Sequence, residues 1–74
     1  MSNSTPEWVN RVTKEVEDLE GKIERLTKFL NTEKFKQLSS KQQDLLIEQL
    51  TAMWTYHYIL IKRIGEYTKE GETK

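Results

Sequence analysis

Apolar residues in this chain fall into two long periodic runs joined by a short, more polar connection. In the first run Val9, Val12, Val16, Leu19, Ile23, Leu26 and Leu30 recur at alternating steps of three and four. That spacing places them on one seam of a helix. The back of the same helix is charged, with Arg11, Lys14, Glu15, Glu17, Asp18, Glu20, Glu24, Arg25 and Lys28. The second run has an equivalent seam in Leu46, Leu50, Met53, His57, Leu60, Ile64 and Tyr67. Beside it lie Leu45, Ala52, Tyr56 and Ile59, while Ile47, Trp54, Tyr58 and Ile61 cover much of what remains. A surface helix ordinarily has one apolar stripe and a polar back. This one has more apolar surface than one partner helix can cover.

Two long helices with a short link pack antiparallel. The pattern therefore predicts an all-α fold, a two-helix antiparallel hairpin that assembles into a higher oligomer. The hairpin domain is expected over residues 6–68, with polar tails at 1–5 and 69–74. At the start, Thr5 is expected to cap, Pro6 to take the first helical position, and Glu7 to face the positive end of the helix dipole. Asn31 and Thr32 weaken the first helix, and Phe35 and Leu38 are expected to fold back over the hairpin end. Ser39 with Gln42, or equally Ser40 with Gln43, fits a capping box for the second helix. That helix should run from about Ser40 to about Tyr67, with Gly65 and Gly71 bracketing its end. Gly21 sits mid-helix at a cost of about 1 kcal/mol relative to Ala. It marks either a close backbone approach or a bend.

A chain of 74 residues buries a modest fraction of its surface and usually needs a staple. With no cysteine there is neither a disulfide nor a thiolate ligand, and a single histidine does not make a zinc site. Self-association is the staple that remains, in agreement with the over-apolar second helix. A membrane span is the rival explanation of that helix, but Glu48, Gln49, Thr51, Thr55 and His57 interrupt the apolar run. Twelve basic residues balance twelve acidic ones, so no overall field favours DNA or an anionic membrane. Met1 is followed by polar residues instead of a basic and then apolar leader, which makes the cytoplasm the expected location.

Catalytic chemistry is poorly supplied. Ser39 and Ser40 are better explained as caps than as nucleophiles, and no Gly-rich phosphate loop is present. Asp44 and Glu48, one turn apart, read as a solvated face before a cation site. His57 on the seam reads as a hydrogen-bonded interface residue before a catalytic one. The aromatic set Trp8, Trp54, Tyr56, Tyr58 and Tyr67 has two readings. One is packing at a self-association surface, with Trp54, Tyr58 and Ile61 as interface candidates. The other is base stacking beside cations that meet phosphate. Trp8 stands off the Val9/Val12 seam with Arg11 one turn on and Lys14 continuing that face, which leaves it either exposed at a binding edge or packed at an interface.

The full pattern reads RVxxExxxLxxKIxxLxxFL, then FxxL, then QxxLLxxQLxAMxxYxxILxxRI. Arg11, Val12, Glu15, Leu19, Lys22, Ile23 and Leu26 carry its first part, and Gln49, Leu50, Ala52, Met53, Tyr56, Ile59, Leu60, Arg63 and Ile64 its most distinctive segment. From about Glu7 to Tyr67 the chain resembles the small phage helical-hairpin proteins grouped with the anti-CBASS and anti-Thoeris nucleotide sponges. The resemblance implies a bacteriophage protein, acting in the infected bacterial host, that sequesters cyclic di- or trinucleotide immune signals without cleaving them. It implies higher oligomers, hexamers among them, with ligand held between subunits and no cofactor. It also implies a base-stacking aromatic near the chain start, matched by Trp8, and a phosphate-binding cation on the first helix, matched by Arg11 with Lys14 beside it. Arg63 would serve a further pocket. Trp8 stands where a tyrosine would be expected, and the extra β-rich part of the anti-Thoeris relatives is absent. The alternative is a helical-hairpin module that contacts another protein and has no nucleotide ligand.

Overall fold

The computed structural model describes the backbone of residues 5–72 and the side chains of residues 5–68. Three helices follow one another: α1 over Glu7–Leu30, α2 over Glu33–Lys36 and α3 over Ser40–Glu72. Among the described residues there is no strand. The long helices α1 and α3 run antiparallel as a hairpin, with Trp8 beside Tyr67 at one end, Glu20 beside His57 midway, and Phe29 beside Phe35 at the connection.

The two predicted seams are what meets between the helices. Val9, Val12, Val16, Leu19 and Ile23 are buried on α1, and Leu60 is buried on α3. Leu46, Leu50, Met53, His57, Ile64 and Tyr67 are half-buried along the same side of α3. The two further apolar sets on α3 are left uncovered: Leu45, Ile47, Trp54, Tyr56, Tyr58, Ile59 and Ile61 are all exposed. One partner helix shields only one side of a cylinder, so both flanks of α3 face outward.

Several boundaries differ from the expectation. Thr5 does not cap α1; Pro6 itself is the N-cap, with no side-chain capping bond. Its carbonyl accepts from the Val9 and Asn10 amides at 3.0 and 3.3 Å, so the helix begins at Glu7. The connection holds a helical turn that the sequence reading did not include. Thr32 Oγ1 accepts from the Phe35 amide at 3.3 Å and so starts α2. Of the two possible caps for α3, Ser39 takes the role, its hydroxyl accepting from the Gln42 amide at 3.1 Å. Gln43 does something else: its Nε2 donates to the carbonyls of Phe35, Lys36 and Leu38 at 3.0–3.2 Å, satisfying the end of α2. Phe35 and Leu38 are half-buried, and Phe35 meets Phe29 edge-on at 6.1 Å.

At the far end α3 continues through Gly65 to Glu72 instead of stopping near Tyr67. Each of the two glycines it passes, Gly65 and Gly71, costs only about 1 kcal/mol, and the residues between them include good helix formers. The polar tail expected at 1–4, and positions 73–74, lie outside the described residues. Gly21 resolves simply. A Cβ there would meet the end of the Arg25 side chain at 3.4 Å, so no neighbouring backbone comes close, and α1 runs on unbroken.

Candidate ligand-binding groove

Antiparallel packing brings the first turn of α1 against the last described turns of α3. Trp8 stands off the main seam, as its position in the heptad requires, yet it is not fully exposed. It is half-buried and packs against the Val12, Val16, Leu19, Ile23 and Leu60 core. Tyr67 meets it edge-on, ring centroids 5.7 Å apart at 82°. The guanidinium carbon of Arg63 lies 5.6 Å from the Trp8 ring centroid, within cation–π range. The sequence leaves open whether Trp8 is exposed or packed; within the hairpin it is packed, because antiparallel pairing sets Tyr67 and Arg63 against it.

These residues border an open groove of about 440 Å³ lined by Trp8, Ile59, Lys62, Arg63, Glu66 and Tyr67. Its volume lies in the range of small-molecule sites. Its walls carry an indole, a phenol, an aliphatic floor and two cations against one carboxylate. The second cation, Lys62, lies over the Tyr58 ring at 4.9 Å. Chemically, the groove offers flat apolar faces and positive charge a few ångströms away. That combination suits a planar ring bearing an anionic group.

The expected grouping was Trp8 with Arg11 and Lys14, and Arg63 at a further pocket; the hairpin groups them differently. Trp8 and Arg63 come together. Arg11 and Lys14 do not line the groove; they face solvent on α1 in i,i+4 pairs with Glu7 and Asp18, each at 3.9 Å. Lys62 and Tyr67 border the groove without having been assigned to it from the sequence. The signal was available: folding the chain about its connection sets position 8 opposite the sixties, where Lys62, Arg63 and Tyr67 lie.

Trp54, Tyr58 and Ile61, the expected interface residues, stand 52%, 61% and 44% exposed on one flank of α3. Trp54 also borders a second groove of about 460 Å³, with Ile23, Thr27, Lys28, Glu20, Glu24 and His57. There His57 Nε2 and Glu20 Oε2 are 2.8 Å apart. An ionised carboxylate only accepts, so the imidazole donates through Nε2. The histidine is thus hydrogen-bonded between the long helices. Among the described residues no cluster of three or more His, Cys, Asp or Glu side chains could hold a metal ion. Among them, too, no helix is long and apolar enough to cross a membrane.

The sequence matches the profile of the Sequestin family over residues 6–66. It is similar to the uncharacterized 7.5 kDa protein in the denB-rIIB intergenic region of Enterobacteria phage T4. Identity to that protein is 40% over 57 residues, covering 77% of this chain and 89% of the relative. No solved structure matches. The profile takes in α1, the connection and nearly all of the described part of α3, and the phage relative is covered almost end to end. The chain belongs to the Sequestin family.

Proposed function

We propose that this protein is a phage anti-defence protein that binds cyclic di- or trinucleotide immune signals in the infected host cytoplasm and holds them without cleavage. The observation that carries the reading is the meeting of Trp8 and Arg63 at a groove of ligand size. Family membership and the phage relative support it from an independent side. The indole offers a face for a purine, and stacking of that kind is worth about 1–3 kcal/mol by alanine substitution. Arg63 offers a planar fork that meets phosphate oxygens in pairs. Each groove is open on one side, so a second hairpin completes it, and paired sites across a two-fold suit a dinucleotide. Arg11 and Lys14 serve the ligand from a neighbouring subunit in this arrangement. The working form is a homo-oligomer, up to a hexamer.

Calorimetry with a panel of cyclic di- and trinucleotides tests the proposal. Native protein should bind at least one of them, and Trp8→Ala should weaken that binding by about 1–3 kcal/mol. Ligand recovered after heat denaturation should be intact. Loss of affinity in Arg11→Ala or Lys14→Ala, with the oligomer unchanged, would mark a contribution across the subunit boundary. The second reading is an interaction module without nucleotide ligand, favoured by the seven large apolar residues exposed on α3. A thermal-shift screen separates the two, because a ligand at a hundred times its Kd stabilises the native state by about 2.7 kcal/mol. No shift with any cyclic nucleotide favours the module.

A further inference from the structure

Resting on the nucleotide reading of the groove, we infer that Arg63 is a placeholder: its guanidinium stands where the base will stack on Trp8, and it must leave before ligand enters. The indole packs on the core, is met at 82° by Tyr67, and has Arg63 over its ring at 5.6 Å, with Trp8, Arg63 and Tyr67 all lining the groove. A guanidinium is flat, apolar on its faces and weakly hydrated, which makes it a stand-in for an aromatic ring. Glu66 borders the same groove, and Lys62 beside it is likewise parked on a ring, that of Tyr58. An anionic ligand gives Arg63 somewhere to go, since the phosphate replaces the ring as its partner. An uncharged base gives it nothing and must compete with it. The contact therefore selects for phosphate-bearing ligands by disfavouring neutral ones, which is how a binding site gains specificity from a repulsive element.

The two classes of ligand should respond to removal of Arg63 in opposite directions. In Arg63→Ala, adenosine and guanosine should bind about two- to fivefold more tightly, the gain from uncovering a ring held by an exposed cation–π contact. The cyclic dinucleotide bound by native protein should bind about tenfold or more weakly, from loss of a charge-assisted pair. Arg63→Lys should keep part of the phosphate affinity while covering the ring less well, lacking the planar fork. A readout without ligand runs alongside: in a Trp54→Phe background Trp8 is the sole tryptophan, and acrylamide should quench it more efficiently once Arg63 is alanine. Unchanged quenching overturns the inference whatever the nucleotides do. So does an equal loss for nucleosides and dinucleotides, which would make Arg63 an ordinary contact. Failure of the nucleotide reading looks different, as native protein that binds no member of the panel.

Discussion

Among the described residues, His57 links the two long helices through its hydrogen bond to Glu20. Its side chain is only 15% exposed and its partner Glu20 is 56% exposed, so water competes from one side. A hydrogen bond to a charged group is ordinarily worth about 1.5–3 kcal/mol, and exposure of the carboxylate brings the expectation down to about 1 kcal/mol. A double-mutant cycle of His57→Ala and Glu20→Ala, read by urea unfolding, should give a coupling of that size. A coupling near zero would mean that the pair does not persist in solution. Gly21 supplies a test of opposite sign. Its Cβ position is free of backbone, so Gly21→Ala should stabilise the chain by about 1 kcal/mol in the same assay.

At the scale of elements, α3 divides its burial sharply between adjacent positions. Leu60 is 1% exposed and Ile61 is 44% exposed. Leu60→Ala should cost about 2–5 kcal/mol of hairpin stability in denaturant unfolding. Ile61→Ala should leave the hairpin fold itself nearly unchanged and act on association instead. The long helices and their facing seams were legible because a step of three and four is a geometric property of the helix. The excess apolar surface of α3 was legible for the same reason. The connection was less so. Asn31 and Thr32 read as helix breakers, but nothing local announced that Thr32 would start another turn, or that Gln43 would turn back to three carbonyls instead of boxing Ser40. The groove was half legible. Trp8 was picked out by residue type and Arg63 only by the family resemblance, whereas their contact depends on pairing across the hairpin, which a local window does not contain.

As a whole, the described chain is a rod of 55 × 17 × 15 Å with a radius of gyration of 17.0 Å. A compact domain of this length would have a radius nearer to about 11 Å. One seam of contact is a thin core for so long a body, and two apolar flanks remain in water. The proposed association of copies would cover them. Light scattering at micromolar concentration should give a mass several times that of one chain, and the melting temperature should rise with protein concentration. Replacing Tyr58, the most exposed of the large apolar residues, with Glu should lower the mass. Gly65 reports on the geometry of contact: it has open space around it in the single hairpin, so Gly65→Ala that disrupts assembly would reveal a neighbour passing close to that backbone.

The edge-on contact of Trp8 with Tyr67 joins positions near the two ends of the sequence. Contacts at the open end of a hairpin close its longest loop, so that end is expected to meet last and part first. The groove sits at that open end. It therefore forms only once α3 is paired with α1 as far as Arg63 and Tyr67. In the finished protein, amides near Trp8 and Tyr67 should exchange hydrogen faster than those around Leu19 and Leu60. A ligand bridging Trp8 and Arg63 would act as a clasp on the open end, slowing exchange at a place it touches and along the rod beyond it.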